Sequence, residues 1–264
     1  MKKKTKVVKG PDLKVKVKQL NQAIEDQDWL KADEQATKLL LAYPNNWEVL
    51  LPAAEVKFQL LHEGDALKFI ERAVKSTPTP DQIVKIAIDR LKIGELTDSE
   101  AIARAVVDKY HKCLIGFEIL AISLKRQGKY SEAIEVFKKA LAVDKKVLTV
   151  WMNMGNAYME SKKYDEAVEC FKQALVIHPN YAEAARMQGS VYIASGKNME
   201  AITMLSKAAS MDGRNMLIKH DLAVAYHNVQ NYSKAMEVIR EGLNIEPNNL
   251  SLIRIGNIIA KKNN

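Results

Sequence analysis

The chain has 264 residues, 47% hydrophobic and 27% charged, with only 11 glycines and 7 prolines, a composition that suits a strongly helical protein and excludes a disordered or collagen-like one. Its two cysteines, Cys113 and Cys170, form no Cys-x-x-Cys pair, which excludes a disulfide framework or a zinc knuckle. The net charge of +8 is local, because residues 1–18 hold eight lysines against Asp12, a net +7, and the nearly neutral remainder excludes a basic groove.

Residues 1–12 read as a basic, flexible tail with no apolar segment behind it. No apolar run approaches the roughly 20 residues that cross a bilayer, so a cytoplasmic location is expected. Residues 13–113 read as three degenerate helical hairpins. The stretch DWLKADEQATKLLLAYPNN (28–46) is the second helix of a unit that starts at Leu13, with Trp29, Ala32, Ala36 and Pro44 at its positions 17, 20, 24 and 32. The next unit starts at Trp47 and places Ala54, Ala66, Ile70, Ala73 and Pro78 at positions 8, 20, 24, 27 and 32. A third runs from about Asp81 to Cys113, one residue short, with its internal register open.

From Leu114 the pattern is clear in four units of 34 residues: 114–147, 148–181, 182–215 and 216–249. Position 8 is small in all four (Ala121, Gly155, Gly189, Ala223), and position 20 is alanine in all four (Ala133, Ala167, Ala201, Ala235). Helix backbones approach closely where side chains are this small. Large groups follow at position 11 (Leu124, Tyr158, Tyr192, Tyr226) and position 24 (Phe137, Phe171, Leu205, Ile239), and position 27 returns to small (Ala140, Ala174, Ala208, Gly242). Pro179 and Pro247 stop the second helix at position 32, and Gly128 and Gly196 mark a turn near position 15.

Residues 250–264, LSLIRIGNIIAKKNN, read as a capping helix and tail whose Leu250, Leu252, Ile253, Ile255, Ile258 and Ile259 point around most of a helical wheel. A lone cap is normally polar outside. Self-association through Leu252, Ile255 and Ile259, as a possible homodimer, or continuation into a further domain is therefore expected.

With Trp151, Gly155, Tyr158, Ala167, Phe171, Ala174 and Pro179 at the signature positions, the chain resembles the tetratricopeptide repeat family. The resemblance implies an all-α fold, a right-handed superhelical solenoid of helix-turn-helix repeats. It also implies that first helices line a concave groove through positions 2, 5, 9, 12 and 13. Those positions hold Lys125, Arg126, Met152, Asn156, Met159, Arg186, Ser190, Ile193, His220, Val224, His227 and Asn228, with Asn153 at position 6 beside them. Apolar and hydrogen-bonding groups together suit an extended peptide or a partner helix.

The carboxylate clamp of chaperone-binding members is missing, because position 5 holds Glu118, Met152, Arg186 and His220. An asparagine ladder along position 6 has only the rung Asn153. His220 and His227 lie two turns apart, about 10 Å by helix rise, so groove-lining polar residues are expected there rather than a metal site, with Asp221 pointing elsewhere. No phosphate loop, His-Glu-x-x-His or Gly-x-Ser-x-Gly motif occurs. The sequence reading is a non-enzymatic scaffold for a peptide or protein partner, with no cofactor and no metal, and with nucleic acid not the expected partner. The alternative is the substrate-recruiting or dimerising repeat region of a larger enzyme such as a glycosyl- or sulfotransferase.

Overall fold

The computed structural model describes residues 11–76 and 79–262, and all regular elements among them are helices. Residues 1–10 of the expected tail and Pro78 lie outside the described residues. The chain divides into two compact units, Met1–Lys129 and Tyr130–Asn264. The first contains α1 (Pro11–Glu25), α2 (Trp29–Ala42), α3 (Trp47–Gln59), α4 (Glu63–Ser76), α5 (Asp81–Ile93), α6 (Leu96–Lys109) and α7 (Leu114–Arg126). The second contains α8 (Tyr130–Val143), α9 (Leu148–Glu160), α10 (Tyr164–Ile177), α11 (Ala182–Ala194), α12 (Asn198–Met211), α13 (Met216–Asn228), α14 (Tyr232–Ile245) and α15 (Leu250–Lys262).

Pro11 and Asp12, read from the sequence as the end of the tail, instead open α1. Proline suits the first helical position, where its missing N–H would have no partner, and Lys16 bonds Asp12 one turn on at 2.7 Å. Within each hairpin the first helix ends the same way. A residue in the left-handed region follows it: Gln27, Leu61, Gly94, Gly128, Lys162, Gly196 or Gln230, with φ between 57° and 93°. The next amide then reaches back to a carbonyl five residues earlier, as Lys163 N does to Tyr158 O at 2.8 Å and Asn231 N to Tyr226 O at 2.9 Å. This satisfies the carbonyls that a helix end leaves free. Between α5 and α6 the turn is Gly94–Glu95 alone, so the residue missing from the third degenerate stretch is missing from its turn.

The close approaches have identifiable causes. A Cβ added to Gly155 would sit 2.8 Å from the Phe171 ring, and one added to Gly189 would sit 2.5 Å from Leu205. Phe171, Leu205, Ala167 and Ala201 are fully buried, so the position-24 side chain fills the hollow that the position-8 glycine leaves. In the first unit a core of Leu20, Ala23, Ala32, Ala36, Leu39, Val49, Ala53 and Val56 joins α1, α2 and α3. First helices also touch their successors directly, α1 with α3, α3 with α5 and α5 with α7 in the first unit, α11 with α13 and α13 with α15 in the second. Each unit thus sets its first helices side by side as a layer.

The expectation for α15 is corrected. Leu252 and Ile259 are fully buried and Ile255 nearly so, in one cluster with Ala223, Ala235 and Ile239. Leu252 also lies over Gly242, where no Cβ obstructs it. These three residues face inward and offer no self-association surface. The large apolar residues that the helix exposes are Leu250 and Ile258. The wheel did not reveal this because α15 packs on two helices, α13 and α14, which cover a wider arc than one neighbour would.

Candidate functional site

In the second unit, α9, α11 and α13 carry the residues expected to face a ligand. Met152 and Met159 are half-buried against the cluster of Ala167, Val168, Phe171 and Val191. Ile193 rests in the same way on Leu205 and Leu222, and Val224 on Ala223 and Ala235. Each apolar group is thus anchored in the core with part of its surface left open. Asn153 turns back to its own helix and donates to Thr149 O at 3.0 Å.

Three of the polar members, Arg186, Ser190 and His220, meet around Asp221, which was expected to point elsewhere. Arg186 Nη1 and Ser190 Oγ both donate to Asp221 Oδ2 at 2.9 Å, and His220 Nδ1 lies 3.1 Å from Oδ1. Arg186 also holds Glu183 at 2.6 Å. Burial pushes the Asp221 carboxyl upward, but the bonds from His220, Ser190 and Arg186 outweigh it and hold the group below its ordinary 3.8. The hydrogen bond to Glu183, opposed by burial and helped by the Glu183 and Asp221 charges, keeps Arg186 firmly protonated. The hub thus links α11 to α13 across one repeat spacing.

Three further polar atoms on these helices lack partners. Asn156 Oδ1, Gln188 Oε1 and His227 Nδ1 are buried atoms with no hydrogen-bond partner. Gln188 is only 3% exposed and donates its amide to Tyr192 Oη at 3.3 Å. The His227 ring leans on Tyr232, centroids 5.6 Å apart, and Asn228 donates to Asn198. His220 and His227 therefore serve different neighbours and do not converge on a common point. Lys125 and Arg126 belong to the first unit, where Arg126 Nη1 donates to Leu91 O at 3.1 Å and ties α7 to α5. Neither thiol is poised for chemistry, since burial raises the pKa of Cys113 and pushes that of Cys170 up to about 12.

The first unit holds a surface outside the residues singled out from the sequence. An open cleft of about 650 Å³ runs over α1, α3 and α5. Its apolar lining includes Val17, Ile24, Trp47, Leu51, Pro52, Phe58, Ile86 and Ile93, and its charged lining is Glu25, Glu48, Glu55 and Asp89 against Lys85 and Arg90. The Arg90 guanidinium stacks over the Phe58 ring at 3.9 Å, which holds both side chains in place. Glu55 is reached by solvent, yet the cleft walls desolvate it and raise its pKa, with Lys85 opposing. Asp89 adds to the rise and Arg90 opposes it. The repeat register would have found it: in the unit that starts at Trp47, Glu48, Leu51, Glu55, Phe58 and Gln59 stand at positions 2, 5, 9, 12 and 13, the groove positions.

Comparison with known proteins follows the same lines. Family models described as "Tetratricopeptide repeat" match residues 149–181 and 218–249, and one described as "TPR repeat" matches 123–161. No curated protein matches the sequence. Among solved structures, MamA 41-end from Desulfovibrio magneticus RS-1 is similar at 17% identity and a TM-score of 0.60, over 66% of this chain and 98% of that one. YrrB, described as "a TPR protein with an unusual peptide-binding site", is similar at 18% identity and a TM-score of 0.58, over 73% of this chain and 97% of that one. The Cut9-Hcn1 hetero-tetramer of APC/C is similar at 17% identity and a TM-score of 0.51, over 80% of this chain and 42% of that one. At these identities the likeness is one of fold, and with the matched segments it establishes that the chain contains tetratricopeptide repeats, an architecture that typically forms a non-enzymatic scaffold for peptides and proteins.

Proposed function

We propose that this chain is a non-enzymatic scaffold that holds a peptide or protein segment against the first helices of its repeats. The observation that carries the reading is the cleft over α1, α3 and α5, where apolar walls and charged groups stand together along three successive first helices. A segment lying there would bury apolar side chains on Trp47, Leu51 and Ile86 and set cations beside Glu48, Glu55 and Asp89. Four carboxylates against two cations favour a basic, apolar segment and disfavour nucleic-acid phosphates. The face of α9, α11 and α13 is a second surface of the same kind. Met152, Met159, Ile193 and Val224 supply apolar contacts there. Tetratricopeptide proteins such as YrrB, with its peptide-binding site, support the reading. No described helix is long and apolar enough to cross a membrane, which is compatible with work in the cytoplasm.

The test is selection of a random peptide library on the full chain, followed by affinity measurements on variants. Ligands enriched in Lys, Arg and large apolar residues are expected, binding at least tenfold more weakly to Glu55→Lys/Asp89→Lys. Loss of binding in Met159→Glu instead would assign them to the second surface. Absence of any selected ligand, or equal binding to parent and both variants, would overturn the proposal.

A further inference from the structure

We propose that Glu63, Glu95 and Asp98 form a binding site for a hard divalent cation of the calcium or magnesium class. One carboxylate oxygen from each lies within 4.8 Å of the others. Ligand oxygens about 2.4 Å from a calcium ion stand at most about 4.8 Å apart, so this spacing comes within reach of one coordination sphere after small shifts of the exposed Glu63 and Glu95 side chains. An all-oxygen set selects hard cations over zinc or copper.

Charge and burial point the same way. Glu63 and Glu95 are exposed, but Asp98 is only 5% exposed and its Oδ2 has no hydrogen-bond donor. An acceptor so placed, beside two further anions, is costly unless a positive charge neutralises it. Burial and the Glu63 charge raise the Asp98 pKa, with Arg90 opposing and Glu95 adding to the rise. Arg90 is committed to the Phe58 ring. Helix capping does not account for the group either. Glu95 stands at the N-cap of α6 and makes no side-chain capping bond, and the orphaned Asp98 Oδ2 lies in the first turn of the same helix. The two-residue turn Gly94–Glu95 delivers both carboxylates to the start of α6, while Glu63 comes from the start of the neighbouring α4. Waters would complete the shell, and a bound ion would fasten one hairpin to the next.

Calorimetric titration of the chelator-treated full chain with calcium, magnesium and manganese chlorides tests this. Saturable binding of one ion per chain is expected for at least one cation, with a raised melting temperature. Asp98→Asn and the exposed Glu95→Gln should each weaken binding tenfold or more. Asparagine matches aspartate in shape, and melting curves of the metal-free variants establish that they fold. No saturable binding up to about 1 mM, the weak end of oxygen-ligand sites, would overturn the proposal. So would variants that bind as tightly as the parent.

Discussion

Single residues set the hairpins through two constraints, a left-handed turn and a close approach. Leu61 holds φ 60° with its side chain 82% exposed, so it bears the strain of that conformation without compensating burial. Leu61→Gly is expected to raise stability by about 0.5–1 kcal/mol, and Gly128→Ala, at φ 77°, to lower it by about 1 kcal/mol. Thermal melts in which both changes act in the same direction would contradict the shared turn geometry. At the close approach, Gly155→Leu should cost about 1–3 kcal/mol or more, because its side chain must displace the buried Phe171 ring. Unfolding unchanged from the parent would remove the reason for a small residue there. The sequence made this constraint legible by repeating it at Ala121, Gly155, Gly189 and Ala223. The partners of Asp221 were not legible in one repeat alone, since Arg186 lies 35 residues away. Reading opposite charges one repeat apart would have found them.

At the scale of elements, α15 and the pair α11 and α13 show how neighbours decide what a helix face does. The apolar wheel of α15 was visible in the sequence, but only the packing shows that Leu252, Ile255 and Ile259 turn inward. Leu252→Ala and Ile259→Ala should each cost about 2–5 kcal/mol, while Ile258→Ala, at 51% exposure, should cost well under 1 kcal/mol. Equal losses at all three positions would contradict the inward face. The α11–α13 link adds a pH dependence of definite sign. Since Asp221 is held below its ordinary value, its contribution is fully present above about pH 4 and fades as pH falls through the folded value. Asp221→Asn should therefore lower the melting temperature at neutral pH and converge with the parent in acid. Melting curves separated equally at pH 7 and pH 2 would contradict the ion-pair account.

At the scale of the whole molecule, the four regular units were legible because periodic small residues mark them, and the degenerate units much less so. The cleft over α1, α3 and α5 lies in the less regular part, yet Glu48, Leu51 and Glu55 stand at groove positions 2, 5 and 9 of the unit that starts at Trp47, so carrying the register back into that unit would have located it. The central claim is that both units use their first helices for binding and their second helices for support. Hydrogen–deuterium exchange of the full chain, with and without a selected peptide, tests it most directly. The account predicts added protection in α3 and α5, or in α9, α11 and α13, with α4, α10 and α12 unchanged. Protection confined to those second helices would contradict it.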